Sequence, residues 1–220
     1  MSKIQPQKPF LLLLYGYPGS GKTYFARQFS EVVQAAHLQA DRIRGELFEK
    51  PNFDKQENAI VTQLVNYMSE EFLSAGVSVV YDANVVRSGQ RRKLLDMARK
   101  HGATPLVIWF QLDEETAFYR NIKRDRRKAD DKYAGNWDRT TFDSIVNQMQ
   151  NPSISEGYLV ISGKHLFNMQ QSAIIAKLRS LSVLSDNDAN EKVIKPGMIN
   201  LIPNVGGRVD MSRRNISVRQ

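Results

Sequence analysis

The stretch Gly16-Tyr17-Pro18-Gly19-Ser20-Gly21-Lys22-Thr23 fits G-x-x-x-x-G-K-[ST] at every fixed position. Each residue type has a physical reason to be there. Glycines let the backbone turn so that successive N–H groups point at one anion. A helix opening near Lys22 adds the positive end of its dipole. Lys22 brings a full charge to terminal phosphates, and the Thr23 hydroxyl is a ligand for Mg²⁺. Residues 16–23 therefore read as a phosphate-binding loop for a nucleoside triphosphate and Mg²⁺. Its contacts are to phosphates, which all nucleotides share.

Such a loop works with a carboxylate at the end of a nearby apolar strand. Asp82 closes the apolar run 77–81 and reads as that acid, holding Mg²⁺ directly or through its water shell. A turn or helix cap is the plainer alternative. Asp41 follows a second candidate strand, 37–40. In a doubly wound sheet the strand C-termini share one rim. Asp41 is then placed to face the terminal phosphate and to accept a proton from an attacking hydroxyl. Arg44 lies on the same helical face and suits binding the acceptor or orienting Asp41. The alternative is an N-cap aspartate beside a solvated arginine.

Residues 120–132 hold seven Lys/Arg (Arg120, Lys123, Arg124, Arg126, Arg127, Lys128, Lys132) against three Asp, a surplus of four within a total of +8. Arg120 and Arg124 fall on one face of a predicted helix. An arginine-bearing lid over about residues 120–138 would cover phosphates, exclude water and neutralise charge that develops during transfer. A solvated basic helix is the competing reading. Arg126, Arg127 and Lys128 are the weaker candidates. Trp137 reads as a hydrophobic latch on that lid or as a contact to a base. His37, His101 and His165 have no metal-ligand spacing and read as structural or surface residues.

Positioning these groups requires strands that end on one rim. The apolar run 10–15 stops at Gly16, as a strand buried on both faces should. A helix over 22–36, a helix capped by Asp41, and a long helix over 54–75 stopped by Gly76 follow. Then come a strand over 77–82, a helix from Ser88 to about His101, and a strand over 106–110. Asp113 caps the helix that enters the basic segment. Helix 140–150, strand 158–161 and helix 169–184 complete the series. Alternation of this kind implies an α/β fold with a parallel sheet and helices on both faces. Residues 1–9 read as loose. Residues 185–220 read as a disordered tail or as one or two added strands near 198–202 and 215–218.

Composition narrows the class further. A chain of 220 residues with 41% hydrophobic and 25% charged content has enough apolar side chains for one real core. The absence of cysteine excludes disulfides, thiolate metal sites and a cysteine nucleophile, and fits a cytoplasmic setting. The run 10–15 is too short to span a bilayer and lacks a signal-peptide cleavage pattern, so no membrane association is expected. A charge of +8 favours anionic partners. A basic tail (Arg208, Arg213, Arg214, Arg219) lacks the aromatic residues that stack single-stranded bases. No feature specifies an oligomeric state.

Together the motifs resemble a family. A strand, GYPGSGKT and a helix precede Asp41-x-x-Arg44, the strand GVSVVYDAN at 76–84, the helix 90–99 and Arg120-Asn121-x-x-Arg124. This looks like the small P-loop kinases related to the kinase domain of phage polynucleotide kinase, often described only as AAA-type ATP-binding proteins. The resemblance covers about residues 10–180. It implies a P-loop NTPase fold with a parallel five-stranded sheet, and transfer of the γ-phosphate of ATP to a hydroxyl. By position, Asp41 matches the general base, Arg44 the acceptor-binding arginine and Asp82 the Walker B acid. Arg120 and Arg124 match the lid arginines, with Arg124 the better candidate for the transferring phosphate. The implied acceptor is a nucleic-acid 5′-hydroxyl, or else a small metabolite, sugar or antibiotic. A nucleotide-dependent binding module with weak ATPase activity is the reading from another class, and it leaves Asp41 and Arg44 without a role.

Overall fold

The computed structural model describes residues 3–125, 127–128, 131–135 and 137–185. The expected tail, with its two possible strands and its arginines, and Arg126 lie outside the described residues.

Five strands form one parallel sheet in the order β2-β3-β1-β4-β5. They are β1 (Phe10–Tyr15), β2 (Ala36–Gln39), β3 (Val79–Asp82), β4 (Thr104–Gln111) and β5 (Tyr158–Ser162). Central β1 is buried at every residue, which explains why its sequence is a continuous apolar run rather than an alternating one. The pleat still sorts its side chains by parity. Phe10, Leu12 and Leu14 enter one core with Phe25 and Phe29 of α1 (Lys22–Val32) and Ile174 and Leu178 of α7 (Phe167–Ser180). Leu11, Leu13 and Tyr15 enter the other, with Val61 and Val65 of α3 (Lys55–Ser74) and Leu94 and Leu95 of α4 (Ser88–Lys100). The remaining helices, α2 (Ala40–Leu47), α5 (Glu114–Ile122) and α6 (Arg139–Asn147), stand at the rim.

Several boundaries differ from the sequence expectation, each for a local reason. Helix α1 stops at Val32, because Val33 turns extended and bridges to Ile4. The same bridge, with the bond from Gln7 N to the Val183 carbonyl at 2.8 Å, ties down a segment expected to be loose. Asp41 is not the N-cap of α2. Gln39 holds that position and Asp41 is the second residue of the helix, so its carboxylate is not used up in capping. Ser88 is the first residue of α4, with Arg87 at the N-cap, and its hydroxyl donates to Gln150 Oε1 at 2.8 Å. Asp54 and Asp113 do cap α3 and α5, accepting from Glu57 N and Thr116 N. Helix α5 ends at Ile122, so Arg120 is helical and Arg124 lies in the segment beyond. Among the described residues no helix is long and apolar enough to cross a membrane.

Candidate active site

The phosphate loop lies between the tip of β1 and the first turn of α1. Gly19 and Gly21 hold φ at 85° and 96°, the left-handed region that β-carbons disfavour. Gly19 is constrained twice over: a β-carbon there would lie 2.2 Å from the Ala117 carbonyl oxygen of α5. The loop is therefore packed directly against the helix that leads into the basic segment. Lys22 Nζ donates to the carbonyls of Gly16 at 2.7 Å and Tyr17 at 2.8 Å. The ammonium is thus folded over the loop's own oxygens, where phosphate oxygens would replace them. Ser20 is fully buried and its hydroxyl has no partner among the described residues.

The structure brings Lys22, Thr23, Asp41, Arg44, Asp82, Arg124 and Pro18 to the wall of one cavity of about 670 Å³. Parallel pairing puts Gln39 opposite Asp82, so the ends of β2 and β3 deliver the two acids side by side. Charges there feel one another in a dry environment. Burial, helped by the neighbouring Asp82 charge, pushes Asp41 up to about 6, against the pull of Arg124, Arg44 and Lys22. Burial brings Lys22 down to about 8, with Asp82 the main charge opposing it. Burial also lowers Arg124, while Asp41, Asp131 and Asp82 pull it back. At neutral pH this leaves Asp41 an ionised carboxylate whose proton affinity is above normal, which suits a general base. Thr23, Asp41 and Asp82 offer oxygen donors on the same wall as the Lys22 ammonium. That donor set fits a nucleotide's phosphates with Mg²⁺.

Other expected residues have partners the sequence did not announce. His37, read as structural or surface, is a neighbour of the site: its Nε2 is 3.0 Å from Asp82 Oδ2. It sits on β2 opposite Val80, two residues from the Gln39–Asp82 pair, so strand pairing alone could have suggested the contact. Arg44 is buried, not solvated. It bonds Glu57 Oε2 at 3.1 Å and Asn58 Oδ1 at 2.6 Å, and stacks on Phe53 with 4.6 Å to the ring centroid. Arg120 is separated from Arg124. It donates to the Gly163 carbonyl at 2.8 Å, whereas Arg124 donates to the Gly135 carbonyl at 2.6 Å and lines the cavity. The pair expected on one helix face is split because α5 ends between them. Arg127 pairs with Asp125 and is exposed.

The segment between α5 and α6 rests on the element that carries Asp41. Tyr133 covers Gly45, where a β-carbon would meet the ring at 2.5 Å, and its hydroxyl donates to Glu46 Oε1 at 3.0 Å. Trp137 meets Phe53 edge-on, 4.9 Å between centroids, and its carbonyl accepts from Asn121 Nδ2 at 2.9 Å. The latch reading of Trp137 fits these contacts. Beyond the acids, the cavity wall mixes polar side chains (Thr62, Asn66, Asn84, Gln90, Lys93) with apolar ones such as Val61, Val85, Leu94 and Ile145.

Comparison with known proteins agrees with this geometry. A family described as AAA domain matches residues 11–150. The chain is 29% identical over 121 residues to the cytidylate kinase of Methanocaldococcus jannaschii, covering 54% of this chain and 67% of that protein. Among solved structures, the APS kinase of Mycobacterium tuberculosis in complex with AMPPNP and APS is similar with a TM-score of 0.56 and 17% identity, covering 79% of this chain and 99% of that one. A gluconokinase from Sinorhizobium meliloti 1021 aligns with a TM-score of 0.55 and 13% identity, covering 80% and 93%. These similarities establish the fold, while the finer likeness to phage polynucleotide kinase rests on motif spacing. The chain belongs to the AAA domain family, and its fold is that of the P-loop kinases.

Proposed function

We propose that this ATP-dependent phosphotransferase passes the γ-phosphate of ATP to a hydroxyl of a small polar acceptor, with Asp41 as general base. The observation that carries the reading is the convergence of Lys22, Thr23, Asp41, Asp82 and Arg124 on one cavity. Backbone N–H groups of residues 19–23 and the Lys22 ammonium bind the terminal phosphates. Thr23 and Asp82 would hold Mg²⁺, which would screen phosphate charge. Asp41 accepts the acceptor's proton as the hydroxyl oxygen bonds to the γ-phosphorus and the β–γ bridge breaks, leaving ADP. Arg124, at the root of the segment that serves as lid, neutralises charge on the transferring group. Arg44 acts through Phe53 and Asn58 more than by a free guanidinium, since Glu57 already takes its charge.

A small acceptor is favoured over a polynucleotide by the contacts made beside the cavity. Tyr133 on Gly45 and Trp137 on Phe53 seat the lid segment against α2 and the loop after it. Amide and hydroxyl side chains (Thr62, Asn66, Asn84, Gln90) and the Lys93 ammonium lie on the cavity wall among apolar ones. They suit a hydroxyl-rich or amide-bearing molecule. The relatives' names, a cytidylate kinase and a gluconokinase, point to the same size class. The test is γ-labelled ATP with Mg²⁺ against a panel of sugars, sugar acids, nucleosides, nucleoside monophosphates, aminoglycosides and a 5′-hydroxyl oligonucleotide. Label on a small compound is the expected result. Label on the oligonucleotide alone, lost as salt is raised, would favour a nucleic-acid acceptor instead.

A further inference from the structure

Phe53 adopts φ 57°, one of two non-glycine residues with positive φ among the described residues. A bulky side chain avoids that region, and it persists only where the surroundings over-determine it. Here they do. Phe53 N–H donates to Glu57 Oε2 and Asn52 N–H to Glu57 Oε1, both at 2.8 Å, while Asn58 Nδ2 donates to the Phe53 carbonyl at 3.1 Å. The Glu57 carboxylate is itself fixed by Arg44 at 3.1 Å. Glu57 and Asn58 thus bond both backbone groups of Phe53, and Arg44 and Asn52 fix the Glu57 carboxylate that does so.

What the ring touches shows what the state is for. Phe53 belongs to none of the apolar cores. Its ring lies 4.6 Å from the Arg44 guanidinium and 4.9 Å from the Trp137 ring, the latter at 84°. Both rings line the cavity. Trp137 is anchored in turn by Asn121, whose backbone nitrogen abuts Gly19 of the phosphate loop. One chain of contacts therefore runs from the Asp41-bearing helix through Arg44, Phe53, Trp137 and Asn121 to the loop.

We infer that Phe53 is a positioning residue: a strained aromatic latch that seats Trp137 over the cavity and excludes water from the transferring phosphate. The inference rests on the phosphotransferase reading above. Without the latch, a water oxygen bonds to the γ-phosphorus as the β–γ bridge breaks. Its proton passes through Asp41 to solvent, and ADP and phosphate leave. A sealed cavity suppresses this side reaction.

The experiment needs no known acceptor. In a Trp109→Phe background, Trp137 is the sole tryptophan. Phe53→Gly removes ring and strain together, Phe53→Leu removes the ring and keeps the strain, and Phe53→Tyr keeps the ring. Hydrolysis of ATP with Mg²⁺ and no acceptor is expected to rise roughly five- to tenfold in kcat for Gly and Leu, with KM for ATP within about twofold. The ATP-induced change in Trp137 emission should vanish in both and survive in Tyr. Phe53→Gly should melt no lower than Phe53→Leu, because glycine accepts the backbone angle. Wild-type hydrolysis and wild-type emission in folded Gly and Leu variants would overturn the latch alone. A parent protein that neither binds nor hydrolyses ATP would overturn the phosphotransferase reading and the latch with it.

Discussion

Asp41 shows how position alone prepares one side chain for the proposed role of base. It escapes capping duty, lies beside Asp82, and is drawn up to about 6 chiefly by burial. As the base it must be ionised, so kcat/KM for transfer should fall on the acid side with an apparent pKa near 6 and level off above it. A pH–rate profile with no inflection between about 5 and 7 would remove Asp41 from that role. The same shift has a cost in stability. Folding favours the neutral carboxyl, so the contribution is complete below about pH 4 and is lost as pH rises through about 6. At pH 7.5, Asp41→Asn should raise unfolding stability by ~1–2 kcal/mol, less than the full linkage value because the carboxylate is only half-buried. Denaturant unfolding of the two proteins at pH 7.5 and pH 4 measures it, with the difference disappearing at the lower pH. Residue identity was the most legible layer in the sequence. Lys22, Thr23, Asp41, Asp82 and Arg124 could all be named from motif spacing, and they share a cavity. The ion pair of Arg44 with Glu57 and the ring of Phe53 could not, because they arise from loop 48–54 folding back on α3.

At the scale of elements, the decisive contact is between the phosphate loop and α5. A β-carbon at Gly19 would strike the Ala117 carbonyl, whereas one at Gly21 would meet nothing within 4 Å. Both positions carry the left-handed backbone cost. Gly21→Ala should therefore lose only ~1–2 kcal/mol of stability. Gly19→Ala should add an overpacking cost of ~1–3 kcal/mol and should also weaken ATP binding, since α5 packs on the loop and leads to Arg124. Thermal melts with and without ATP separate the two effects. Equal losses in both variants would mean that α5 yields easily and does not brace the loop. The elements themselves were readable from periodicity and glycine stops, but their ends were not. Helix α1 ends before its sequence pattern does, because Ile4, far away in sequence, captures Val33. The spacing of Arg120 and Arg124 suits one helix face, but nothing local marks the end of α5 at Ile122.

For the whole molecule, β1 at the centre of five parallel strands puts the phosphate loop on the rim, with the ends of β2 and β3 on one side of it. The alternating pattern of strands and helices requires such a rim. What the pattern does not encode is the pair of contacts of Tyr133 with Gly45 and of Trp137 with Phe53, each across more than eighty residues of chain. Those contacts support the proposed small acceptor. The central claim is that this fold uses Asp41 to transfer the γ-phosphate of ATP to a hydroxyl. The most direct measurement is single-turnover transfer from γ-labelled ATP to the best small acceptor of the panel, in wild type and in Asp41→Asn, with ATP affinity measured in parallel. The account predicts at least a ~100-fold loss of transfer with ATP affinity within about threefold of wild type. Transfer by Asp41→Asn at the wild-type rate would contradict it.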